Sequence, residues 1–158
     1  MSRSRSGQVR LSRIEWIAFV TLVLVTWVLR LCLLEQVPPG WRDDELINIR
    51  AISGQVLSGH FPVYFSDASG HEPLYHYLHA GILKALGFNV LSGHLLSVIL
   101  GTLSVVLTYA LCRRLFGRVT AVLASWSLTA SFWSLMYSRT AIRHISVLPF
   151  ALAIVWLM

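Results

Sequence analysis

Three consecutive acids, Asp43, Asp44 and Glu45, stand in the stretch PPGWRDDELINIRAISGQVLSG, which lies between long hydrophobic runs. All but one of the chain's seven acidic residues fall between Glu35 and Glu72, the exception being Glu15. An ionised group beside a bilayer is costly unless it faces water or a polar cavity, so such a cluster is a candidate for function. A carboxylate in the first turn of a helix is kept anionic by the exposed backbone amides and the macrodipole. As an anion it can serve as general base toward a hydroxyl or amine, while a second carboxylate orients the acceptor or holds a cation. The competing reading is structural, with Asp43 or Asp44 merely capping a wet helix.

A second polar group follows in YSRTAIRH, where Arg139 and Arg143 share a face if that turn is helical. The planar donor fork of arginine matches phosphate. Two partners stay open for this pair: the phosphate of a lipid carrier, or the acidic triplet in a salt bridge. His71, His76 and His79 invite a metal reading, but HEPLYH is not H-E-x-x-H, because Tyr75 takes the second histidine's place and Pro73 interrupts the run. Interfacial hydrogen bonding is the expectation for them rather than a metal site; a divalent metal elsewhere stays open, and no residue pattern in the sequence supports one. Cys32 and Cys112 both sit in apolar runs and read as core thiols.

These groups need elements to hold them, and the composition says which. The chain has 158 residues, is 56% hydrophobic and only 13% charged, with a mean hydropathy of +0.67. That excludes an ordinary soluble domain and defines an integral membrane protein. The net charge of +6 does not indicate a nucleic-acid partner. Its arginines gather at the amino terminus and at Arg113, Arg114 and Arg118, flanking hydrophobic runs as cytoplasmic loops do. Membrane helices are predicted over 14–34, 90–112, 119–136 and 145–158, after a basic cytoplasmic tail over 1–13. Arg30, near the end of the first, is expected to snorkel outward. The last run is about 21 Å of helix, short of a hydrocarbon core of about 30 Å, so the chain is expected to belong to a larger protein.

The segment 35–89 is predicted to be one extracytoplasmic loop of a single membrane domain. If Glu72–Gly87 crossed the membrane, the two arginine clusters would lie on opposite sides; as an interfacial helix it keeps them on one side. Its apolar face is read as Leu74, Tyr77, Leu78, Ile82 and Ala85, with His76 and His79 turned away. A second amphipathic helix opens at the triplet, with Leu46, Ile49, Ile52 and Val56 at helical spacing and Gly59 and Pro62 as its end. The fold class is therefore an all-α, polytopic membrane bundle with amphipathic juxtamembrane helices in its first outer loop.

The order of motifs is informative in its own right. An arginine-flanked first span is followed by PPGWRDDE, GHFP, HEPLYHYL, YALCRRLFGR and SFWSLMYSRTAIR. This order resembles the amino-terminal portion of the GT-C-fold glycosyltransferases of the protein-mannosyltransferase and aminoarabinose-transferase superfamily. The resemblance implies Asp44 as catalytic base with Glu45 beside it. It also implies a donor site lined by the Glu72-Pro73-Leu74 segment, matches the family's Ser-Arg turn to Ser138-Arg139, and sets His144 where some members carry a second acid. With Asp43 beside the base and Arg139 or Arg143 suited by its donor fork to the donor phosphate, the candidate substrate-binding residues are Asp43, Glu72, Arg139, Arg143 and His144. Glu72 stands where the aminoarabinose-transferase form carries Lys. The donor implied is a polyprenyl-phosphate sugar, transferred with inversion to an extracytoplasmic protein or lipid/glycan acceptor at a multi-pass cell membrane, with membrane lipid around it. A transporter fragment with an acidic cation-binding mouth, or a non-catalytic membrane subunit, are the alternative classes. The first should place charges at mid-membrane, whereas here they lie at span ends.

Overall fold

The computed structural model describes residues 12–67 and 70–158; Arg3, Arg5 and Arg10 of the basic tail lie outside the described residues. Every regular element among the described residues is helical, and β-type pairing there is limited to an isolated bridge between Phe65 and His71. The all-α membrane architecture expected from the sequence is the one that forms.

Helix α1 (Arg13–Leu31) begins where Ser12 accepts the Glu15 amide at 3.2 Å. The acidic segment forms α2 (Asp43–Leu46), a π-helical turn (Ile47–Ile52) and α3 (Ser53–Leu57), and is followed by α4 (Pro73–Leu86). The expected helix from the triplet toward Gly59 thus forms in three abutting pieces, with Ile49, Ile52 and Val56 buried. Helix α5 (Val90–Phe116) is 27 residues long and starts at Asn89, whose side chain accepts the Ser92 amide at 2.8 Å. It is the hub of the bundle, since α1, α4, α6 (Arg118–Ala130), α7 (Phe132–Ser138) and α8 (Val147–Leu157) all pack on it.

By length and composition α1 and α5 can cross a membrane, and α6 with α7 makes a third only as a pair bent by 61°. The sequence predicts one unbroken helix over 119–136. The break falls at Ser131, whose ψ of 126° is extended rather than helical. Its consequence is packing: Ser134 meets Arg30, whose guanidinium donates to the Ser134 hydroxyl at 3.0 Å and to the Thr26 carbonyl at 3.3 Å. Arg30 therefore does not snorkel. It is fully buried between α1 and α7. Cys112 packs beside the Leu22–Val105–Tyr109–Ala121 core, whereas Cys32 is exposed at the end of α1 rather than in a core.

Close approach to α5 depends on small side chains. Gly93, Ser97 and Gly101 recur every four residues, the spacing that lets membrane helices pack tightly. A Cβ on Gly93 would fall 2.4 Å from the Trp41 ring, and one on Gly101 would fall 2.5 Å from the Ser138 Cβ. The first glycine seats the chain leading into the acidic triplet; the second seats the chain leading into Arg139.

Candidate functional site

The acidic turn lies against the amino-terminal end of α5. At the other end of α5, about 40 Å away along its length, Arg113 engages both carboxylate oxygens of Glu15. The polar chemistry of the segment between α1 and α5 is therefore gathered at one end of the bundle.

Within the triplet the three acids part ways. Consecutive helical residues point about 100° apart, so neighbours in sequence face different surroundings. Asp43 and Asp44 are exposed, while Glu45 is fully buried. The Glu45 Oε2 accepts the Arg42 amide at 3.0 Å, and its Oε1 accepts the Ala141 amide at 2.7 Å and pairs with His94 Nε2 at 2.8 Å. The cap of this helix is thus Glu45 reaching back to Arg42, a correction to the reading that placed Asp43 or Asp44 in that role. Burial would raise the Glu45 pKa, but His94 and the two amides outweigh it and hold the carboxyl below its ordinary value. Trp41 stacks on His94 with ring centroids 4.7 Å apart, shielding this contact.

One turn further on, Asn48 donates from Nδ2 to the Ala141 carbonyl at 2.8 Å. Glu45 and Asn48 therefore grip the two sides of one peptide residue, Ala141, in the extended link between α7 and α8. That link carries Arg143 and His144. A cavity of about 160 Å³ results, lined by Asp44, Ile47, Asn48, His71, Ile142, Arg143 and His144. Beside it runs a mostly apolar cleft of about 350 Å³, to which Glu72, Tyr75, Leu78, Leu100 and Phe150 contribute along with the same Arg143 and His144. Arg143 donates to the Gly70 carbonyl at 2.6 Å and stands 3.5 Å from the largely exposed Glu72 carboxylate. The Glu72 carboxyl is held below its usual range by its own backbone amide, against a smaller effect of burial, with Arg143 adding to the lowering.

Asp44, Glu72, Arg143 and His144 are therefore brought together around two adjoining cavities. Arg139 is not among them. Its guanidinium donates to the carbonyls of Leu29, Arg30 and Val37, closing the carboxy-terminal end of α1. Residues 139–142 are not helical and Arg143 opens a short 3-10 turn (Arg143–Ser146), so the two arginines do not share a helix face and point to different neighbours.

The histidines hold a surprise for the sequence reading of α4. The face of α4 packed inside the protein is Tyr75, His76, His79, Ala80 and Leu83, so the two histidines expected on its polar side are buried, while Leu74 and Leu78 lie on the outer surface. The reason is mutual satisfaction. His79 Nε2 lies 2.9 Å from the Gly93 carbonyl and must donate to it, so its Nδ1 accepts from the Ser53 hydroxyl at 3.0 Å. Ser53 Oγ then faces His76 Nδ1 at 3.4 Å, and His76 Nε2 accepts from His71 Nδ1 at 3.0 Å. These contacts reach His71, on the wall of the Asp44 cavity. No group of three or more His, Cys, Asp or Glu among the described residues is arranged to hold a metal.

Burial, with added repulsion from neighbouring His71, His79 and Arg143, pushes the His76 pKa down to about 4. Burial likewise brings His79 down to about 4, despite its bond to Gly93. Between about 4 and the ordinary 6.5 the unfolded chain binds protons that the folded chain refuses, so stability falls as pH drops through this window and is level above it. Each histidine contributes a slope of at most about 1.4 kcal/mol per pH unit. Thermal unfolding in neutral detergent should show a clear loss between pH 7.5 and pH 5, and His79→Asn should flatten it. A slope that His79→Asn leaves unchanged would contradict this account.

Polar side chains are thus gathered at one end of an apolar helix bundle, beside a mostly apolar cleft. A family model, dolichyl-phosphate-mannose-protein mannosyltransferase, matches residues 70–158, more than half of the chain, and the chain belongs to that family. No curated protein and no solved structure matches it. The matched region runs from α4 to α8 and includes Glu72, Arg143 and His144; the acidic triplet precedes it.

Proposed function

We propose that the protein transfers a sugar from a polyprenyl-phosphate donor to a hydroxyl acceptor on the extracytoplasmic face of the membrane, with Asp44 as general base. The observation that supports this most directly is that Arg143 and His144 line both the small polar cavity of Asp44 and the apolar cleft beside it. A donor of this kind has the same two-part character. Its isoprenoid would lie along Leu78, Leu100 and Phe150, and its phosphate would meet Arg143 where the cleft turns polar.

In the reaction so read, Asp44 takes the proton of the acceptor hydroxyl as that oxygen bonds to the anomeric carbon. The bond from that carbon to the phosphate oxygen breaks on the opposite face, inverting the centre, and the lipid phosphate leaves with its negative charge facing Arg143. Asn48 also lines the cavity, and its buried Oδ1 has no hydrogen-bond partner among the described residues, which suits it to accept from a sugar or acceptor hydroxyl. Glu45 serves this scheme by holding the Asp44 turn and the Ala141 link in register.

The test separates the phosphate contact from general charge. Arg143→Ala should weaken binding of a polyprenyl-phosphate mannose by about tenfold or more, as loss of a charge-assisted contact implies. Arg50→Ala, an exposed arginine on the π-helical turn, should leave it unchanged. Equal losses from the two would remove the support for a phosphate site at Arg143.

A further inference from the structure

At the end of the bundle remote from Asp44 lies a cavity of about 650 Å³ that the transfer chemistry does not use. Its lining combines the guanidinium side chains of Arg113, Arg114 and Arg118 with the apolar surfaces of Phe19, Val106 and Trp156. The ion pairs that these arginines make among the described residues all go to Glu15, so three cations face one carboxylate. Arg113 takes both Glu15 oxygens, while Arg118 remains 3.5 Å from one of them with 64% of its side chain exposed. Arg114 gives one N–H to the Trp156 carbonyl at 2.7 Å. A guanidinium carries five donors, so Arg114 and Arg118 retain unused donors and positive charge.

The depth of this cavity matters as much as its charge. Arg113 and Arg114 occupy the last turn of the long apolar helix α5, and Arg118 opens α6 one residue after it ends. That is the level at which a span leaves the hydrocarbon and meets lipid headgroups. We propose that the cavity binds an anionic phospholipid, its phosphate held by Arg114 and Arg118 and an acyl chain lying against Phe19, Val106 and Ala110. A free anion would use the guanidinium groups and leave the apolar wall wet. A zwitterionic lipid would cover the wall but bring its own cation to a cationic rim. An anionic lipid meets both surfaces, as basic pockets between membrane helices do.

The experiment is native mass spectrometry of the full chain in neutral detergent, titrated with phosphatidylglycerol or phosphatidylcholine. Phosphatidylglycerol should be retained roughly tenfold better than phosphatidylcholine, and Arg114→Gln with Arg118→Gln should abolish that preference. Arg118→Gln alone, at an exposed side chain, should reduce the preference without disturbing the fold. Ala110→Trp should reduce retention of both lipids with every charge intact, because it fills the apolar wall. Arg50→Gln, far from the cavity, should change nothing, and millimolar inorganic phosphate should not displace the lipid. The proposal is overturned if the two lipids are retained equally, if neither Arg118→Gln nor Ala110→Trp lowers retention, or if inorganic phosphate competes the lipid away.

Discussion

Asp44→Asn is expected to slow sugar transfer by roughly 10²–10⁴-fold while leaving thermal stability and donor binding near their wild-type values. The substitution keeps the size of the side chain and removes its ability to accept a proton. Asp44 is exposed on the rim of a cavity, so no buried partner is orphaned by the change. Asp43→Asn should be close to neutral, because Asp43 is exposed and the cap of its helix is Glu45. The assay is transfer from a polyprenyl-phosphate sugar, followed beside a melting curve and a donor-binding curve for each variant. Near wild-type turnover in Asp44→Asn would end the assignment of Asp44 as base, whatever the other acids do.

Glu45→Ala is expected to act in the opposite manner, through the fold first. It leaves the Arg42 amide, the Ala141 amide and the His94 ring nitrogen without their acceptor in a buried setting. Orphaned buried groups cost about 1–3 kcal/mol each, and loss of a buried charged partner costs about 3–5 kcal/mol in total. A melting point lower by roughly 10 °C follows for a chain of this size. Glu45→Gln should fall between, since its amide oxygen replaces one oxygen of the carboxylate while its NH₂ must face a backbone N–H or His94. Transfer should fall with stability in both variants, because Asp44 and Arg143 are held in register through Glu45 and the Ala141 link. A Glu45→Ala protein that melts like wild type but has lost transfer would make Glu45 a chemical participant instead of a positioning residue.

The two variants together mark where sequence reasoning runs out. Hydropathy and arginine distribution are local quantities summed along the chain, so they sufficed to find a membrane protein, its long helices α1 and α5, and a polar segment rich in acids between them. The order of short motifs was enough to point to the glycosyltransferase family that residues 70–158 match. Helix spacing correctly buried Ile49, Ile52 and Val56. The burial of the histidine side of α4 was not legible, because periodicity scores a histidine as polar, whereas His76 and His79 are hidden by bonding to Ser53, Gly93 and His71. A signal was present in the spacing of His76 and His79, three apart on one helical face, but nothing local names Ser53 as the residue between them.

Which carboxylate of Asp43-Asp44-Glu45 faces inward, and which arginine of Arg139 and Arg143 faces the cavity, depended on contacts with residues far away in sequence. Glu45 is buried because His94 and Ala141 come to meet it, and Arg139 is committed because α1 ends where its fork can reach three carbonyls. The bend at Ser131 and the burial of Arg30 arise in the same way, from the packing of α7 against α1. Composition and periodicity describe how each segment meets solvent or lipid. Only the folded chain brings together the partners that let a charged group leave both.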